Sequence, residues 1–246
     1  MLLAALAALV GAAVQSSTGF GFALVLSPAL FAVLEPTGAV TTLLALGLAL
    51  NLLVLFERGR PEHVDRRRLA PMLAAAVPGL AVGVLILGAL SKEVLQIGVG
   101  IAVIAAAAWQ LRRRVLERPL RLAPGASVAV GFASGVLTTS ISVSGPPIVL
   151  WLEAHGVSAR EFRATLAWSF LTLNLAGGAI LLAVEGGGAL RPGLLAGLLV
   201  LVLAGHLLGA FAFSRIDHER FFRIALGLVL VTGVASLVAG AAALAG

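Results

Sequence analysis

Gln15-Ser16-Ser17-Thr18-Gly19-Phe20-Gly21 sets amides, hydroxyls and glycines between two apolar runs, 2–14 and 22–34. Neither run approaches the ~20 residues that a spanning helix needs. The stretch Thr138-Thr139-Ser140-Ile141-Ser142-Val143-Ser144-Gly145-Pro146-Pro147 divides the runs 126–137 and 147–152 in the same way. Irregular chain at membrane depth survives only where it is buried in protein or lines a cavity. If the solvent is lipid, these two breaks decide both the fold and the place to look for function.

Composition makes the solvent lipid. Of 246 residues, 60% are hydrophobic and 11% charged, and the mean hydropathy is +1.10. A soluble domain carries about 25% charged residues. Six further runs, 37–55, 70–90, 94–111, 162–184, 192–214 and 221–245, approach or exceed spanning length. The chain therefore reads as all-α and integral to the membrane. Cysteine is absent, which excludes disulfide and thiol chemistry. The net charge of +6 comes from arginines in short loops, a topology pattern and not a nucleic-acid footprint. The N-terminus MLLAALAALVGAAV lacks a basic start and an A-x-A site, so no cleaved signal peptide is expected.

The breaks look like internal counterparts. A shift of 124 places Gly11 on Gly135, Ser16 on Ser140, Thr18 on Ser142, Gly21 on Gly145 and Thr41 on Thr165. A shift of 123 places Asn51 on Asn174, and one of 126 places Gly79/Gly83 on Gly205/Gly209. The chain thus divides into a first membrane repeat, 1–111, a basic cytoplasmic linker, 112–124, and a second repeat, 125–246. Weak internal symmetry of this kind marks secondary-transporter folds. If each break is a re-entrant hairpin, each half has three spans and the halves are inverted. If each is a broken span, there are eight spans and parallel halves. Inversion puts fifteen of the seventeen Lys and Arg on one face, against eleven in the parallel arrangement. The positive-inside rule favours inversion, with six spans and two re-entrant hairpins.

Helix N-termini at the breaks carry partial positive charge and unpaired N–H groups, a combination that attracts anions. Gly19, Gly21 and Gly145 permit close backbone approach, and Pro146 suits a helix start. Gln15, Ser16, Ser17, Thr18, Thr139, Ser140, Ser142 and Ser144 supply donors, and Phe20 lies between the glycines. Asn51 and Asn174, deep in apolar runs, are candidates for the same cavity, as is Trp168. The competing reading of the breaks is kinked helices packed by small polar residues. The expected partners are a small anion and the bilayer. No cofactor and no metal ligand set are expected.

His206 is the ionisable side chain well inside a predicted span, where such residues are functional candidates. Its counterpart is Leu80 and no mid-span carboxylate accompanies it, so an obligatory proton relay is not expected. The Gly79/Gly83 and Gly205/Gly209 pairs suit packing within the chain more than a homodimer, which stays open. Ser144 with His206 could suggest a membrane serine protease, but a doubled break has no meaning for a single dyad. The chain is not expected to be an enzyme.

The stretch 15–28 (QSSTGFGFALVLSP), the run Ser144-Gly145-Pro146-Pro147 and residues 162–174 (FRATLAWSFLTLN) resemble the two repeats of the sulfite exporter TauE/SafE family, also called the 4-toluene sulfonate uptake permease family. The resemblance covers nearly the whole chain. It implies a multi-pass transporter in the cell (inner) membrane that moves a sulfur-containing anion such as sulfite or a sulfonate. Alternatives from the residues are a carboxylate transporter and a non-transporting membrane scaffold.

Overall fold

A computed structural model describes residues 1–56, 66–116, 125–186, 188–213 and 218–245. The described residues form ten helices and no strand. In chain order they are α1 (Leu2–Thr18), α2 (Phe22–Val33), α3 (Pro36–Phe56), α4 (Arg66–Ala89), α5 (Lys92–Leu116), α6 (Ala126–Ile141), α7 (Gly145–Ala154), α8 (Ala159–Glu185), α9 (Pro192–Phe213) and α10 (His218–Ala245). Each apolar run of the sequence is one helix. Six of them, α3, α4, α5, α8, α9 and α10, are long and apolar enough to cross a membrane. The chain is a multi-pass membrane protein. Much of the basic linker (117–124), the arginines at 58 and 60, and Arg215 lie outside the described residues, while 112–116 continue α5.

The four remaining helices form two short pairs, α1/α2 and α6/α7. At ~1.5 Å rise per residue, the 17 residues of α1 and 12 of α2 reach partway across a ~30 Å core. Several contacts sort the ends of the bundle. Lys92 Nζ lies 3.8 Å from Glu35 Oε1, and a methyl on Gly38 would come 3.3 Å from the Ala189 carbonyl. The α2–α3, α4–α5 and α8–α9 connections therefore share one end. On the side of the Arg112–Arg114 cluster, Trp109 Nε1 donates to Glu153 Oε2 at 3.2 Å.

Glycine decides which helices meet. A methyl on Gly205 or Gly209 of α9 would collide with the carbonyls of Leu9 and Ala13 in α1. A methyl on Gly79 or Gly83 of α4 would collide with those of Phe132 and Val136 in α6. Small residues let helix backbones approach this closely in lipid. Both GxxxG pairs are thus consumed inside the chain, and each joins a long helix of one half to a short helix of the other.

Helix boundaries recur at fixed offsets. The ends of α1 and α6 and the starts of α2/α7 and α3/α8 are 123 residues apart, and the starts of α4/α9 and α5/α10 are 126 apart. The paired contacts keep this register, Leu9 with Phe132 and Ala13 with Val136. At the breaks this register lies one residue from the 124-residue shift of the sequence. In this boundary register Gly19 falls on Ser142 and Gly21 on Ser144, whereas the shift of 124 places Gly21 on Gly145 and Gly11 on Gly135.

Candidate functional site

The breaks are shorter than the polar stretches that announce them. Helix α1 runs through Thr18, and only Gly19, Phe20 and Gly21 separate it from α2. Gly19 is left-handed at φ 91° and its N–H caps Gln15 O at 2.7 Å; Gly21 is left-handed at φ 114°. Such angles favour glycine because a Cβ is costly there. On Gly21 a Cβ would also come 2.9 Å from Val14 Cγ1. The second break is Ser142, Val143 and Ser144. Ser142 takes the left-handed role at φ 60°, and its N–H bonds Thr138 O at 3.1 Å.

Between the breaks lies a cavity of about 40 Å³. One water requires roughly 10–15 Å³ on this scale, so the space matches a few heavy atoms. One wall is Gln15, Phe20 and Gly21 with the first turn of α2, Phe22 to Leu24. The opposite wall is Ser142, Val143, Ser144 and Gly145. Helices α3 and α8 close it with Gly47, Asn51, Phe170 and Asn174. Gly47 and Asn51 sit around the middle of the spanning helix α3, which sets the cavity near mid-membrane depth.

The walls differ in what they offer. The cap residue and first three residues of an α-helix have N–H groups without intrahelical partners. In α2 these are Gly21, Phe22, Ala23 and Leu24, and all four line the cavity. In α7 two of the four are Pro146 and Pro147, which have no N–H. That wall offers the Ser144 and Gly145 amides and the hydroxyls of Ser142 and Ser144.

Asn51 is 2% exposed. It accepts from Gln15 Nε2 at 2.8 Å and donates to Gly47 O at 2.7 Å. At Gln15's place in the second half stands Thr138, whose hydroxyl donates to Ser134 O on its own helix at 2.6 Å. The Asn174 amide packs against Gly47, where a methyl would meet its Nδ2 at 2.6 Å.

Gln15, Phe20, Gly21, Asn51, Ser142, Ser144, Gly145 and Asn174 are therefore brought together. Ser16, Ser17, Thr18, Gly19, Thr139, Ser140, Pro146 and Trp168 do not line the cavity. Ser16 Oγ bonds His206 Nδ1 at 2.7 Å. Ser17 Oγ donates to Ala13 O and Gly209 O, Thr18 Oγ1 to Val14 O and Phe20 O, Thr139 Oγ1 to Leu80 O, and Ser140 Oγ to Val136 O. Helical Ser and Thr readily bond the carbonyl four residues back, so most of these hydroxyls are engaged within the fold.

Three features of the site lacked a sequence signal. Gly47 and Phe170 are apolar residues in apolar helices, and only their offset of 123 could have tied them to Asn51 and Asn174. Arg163 is the third. Sequence assigns it to the basic face, but its Nη2 reaches Ser16 O at 2.6 Å and its Cγ packs on Gly19. A cation on the last carbonyls of a helix complements its dipole, so Arg163 braces the first break just behind the cavity without lining it.

The cavity thus lies between two helix breaks, in a bundle with six helices of spanning length. The sequence profile of the sulfite exporter TauE/SafE family matches residues 3–236, and the chain belongs to that family. It is 28% identical over 171 residues to the "Probable sulfite/organosulfonate exporter TauE" of Cupriavidus necator. That match covers 67% of this chain and 66% of the relative, just under two thirds of its length. No solved structure matches the chain.

Proposed function

We propose that the chain is a secondary transporter of the cell membrane that carries a small sulfur oxyanion, sulfite or a sulfonate, by alternating access to this cavity. The two halves are read as inverted in the membrane, rocking about the site. Recurrent boundaries, exchanged glycine contacts and the fifteen-to-two charge split support that arrangement. The substrate class follows the family and its relative.

The observation that carries the reading is the donor set. Two helix N-termini, with six lining residues whose N–H groups lack intrahelical partners, and three side-chain amides surround one small cavity. Each N-terminus is worth about half a positive charge, so the pair offsets roughly one negative charge without a buried cation. An oxyanion accepts on every oxygen and suits such a ring of donors, and its release leaves no unpaired Arg or Lys in the cavity.

The test is a thermal-shift screen of the purified protein against sulfite, short sulfonates, sulfate and small carboxylates. Binding stabilises the native state by about 2.7 kcal/mol at a hundredfold excess over Kd. Stabilisation by sulfite or sulfonates above carboxylates is expected. A shift with carboxylates alone would remove the sulfur-anion reading.

A further inference from the structure

A second cavity of about 40 Å³ adjoins the first. Phe20, Gly21 and Leu24 line both. Its other walls are Val14 of α1, Ala106 and Ala107 of α5, and Leu226 and Val229 of α10. The space exists because two successive alanines of α5 face the break where larger side chains would fill it. Of its polar residues, Thr18 is engaged with the Val14 and Phe20 carbonyls, and Gln110 adds one amide. This is a poor setting for a charge, whose desolvation needs compensating donors, and a good one for hydrocarbon.

Resting on the anion reading of the first cavity, we infer that the site continues past Phe20 into an apolar subsite that holds the organic tail of an alkanesulfonate and measures its length. The sulfonate oxygens sit on the α2 first turn and the carbon chain points toward Ala107 and Leu226. Gly21 contributes no side chain to the shared wall, so rotation of the Phe20 ring joins the two spaces. Volume sets the tail. A cavity that binds benzene has about 150 Å³, and each water-sized group needs roughly 10–15 Å³. A space of about 40 Å³ takes two or three carbons and excludes an aryl ring.

The experiment is calorimetric titration of the purified full chain with sulfite, methane-, ethane-, propane- and hexanesulfonate, and benzenesulfonate. The Kd is expected to fall about fourfold per added carbon, the equivalent of ~0.8 kcal/mol per buried CH₂, and to stop falling after ethane- or propanesulfonate. Benzenesulfonate should bind no tighter than methanesulfonate. Leu226→Ala enlarges the subsite and should move the plateau to a longer chain. A flat series in which sulfite and methanesulfonate still bind would overturn the tail subsite and leave the anion site standing. A plateau that Leu226→Ala does not move, or tightest binding by benzenesulfonate, would also overturn it. Failure of every sulfonate and of sulfite to bind would overturn both readings.

Discussion

The two breaks occupy equivalent positions and are built from opposite materials. The first turns on two left-handed glycines and opens a helix whose cap and first three residues all line the cavity. The second turns on one left-handed serine and opens a helix whose first turn holds two prolines. Glycine gives the backbone freedom and proline removes it. The first half supplies two glycines and the larger set of helix-start amides; the second supplies two prolines and hydroxyls. The asparagines differ likewise. Asn51 is committed to Gln15 and Gly47, whereas Thr138 has already donated within its own helix and leaves Asn174 without the equivalent tie. Matching positions in the two halves do not imply equal duties.

The comparison breaks outright if the halves are not inverted. Single cysteines at Glu161 and Gly188 in this cysteine-free chain are expected to label from opposite sides of the membrane, residue 161 from the cytoplasm. Labelling of residue 161 from outside would favour parallel halves.

Next in size is the contrast between glycines. Gly21→Ala imposes a left-handed alanine, which costs about 1–2 kcal/mol, and drives a methyl toward Val14. A tenfold or greater loss of sulfite affinity is expected, since ~1.4 kcal/mol is tenfold. A methyl on Gly145 would come no nearer than 3.5 Å to Phe170, an ordinary contact, so Gly145→Ala should stay within about threefold of the parent by titration. Equal losses would erase the proposed division between the two breaks.

The asparagines sharpen the comparison through two different readouts. Asn51→Ala strands the buried Gln15 amide and should cost about 1–3 kcal/mol of stability. Asn174→Ala should leave the unfolding midpoint nearly unchanged. It should raise the sulfite Kd about two- to twelvefold, the loss of one hydrogen bond of ~0.5–1.5 kcal/mol. Denaturation and titration of both variants separate these outcomes.

The smallest effect is expected at His206. It meets Ser16 where Leu80 meets Thr139 in the other half, so one half manages without an imidazole. His206→Leu should lower stability by about 1 kcal/mol or less. The pH profile of uptake into proteoliposomes should be unchanged. A profile that flattens in this variant would make His206 part of proton coupling.

Much of this was legible in the sequence. Ten apolar runs became ten helices because run length in lipid is a direct measure of span. The breaks, Asn51 and Asn174 were legible because polar groups at that depth must serve something. Three matters escaped. The hydroxyls of Ser17, Thr18 and Ser140 looked like ligands but bond their own helices, a choice that residue type does not encode. The helix boundaries recur at 123 residues where the residue matches recur at 124, an offset that Gly and Ser, being frequent, do not single out. Arg163 was assigned to the face because its place near the start of α8 says nothing of how far its side chain climbs.

The glycine contacts also dictate an order of assembly. Helix α6 finds α4 already made, whereas α1 must wait for Gly205 and Gly209 of α9, nearly the whole chain later. Until then α1 lacks the partner its backbone is shaped to meet, and its contact is among the most distant in sequence that the described residues form. Distant contacts are slow to close. The return of α9 to α1 is therefore a late step as the bundle leaves the ribosome, with the packing of α10 on α5 still to follow.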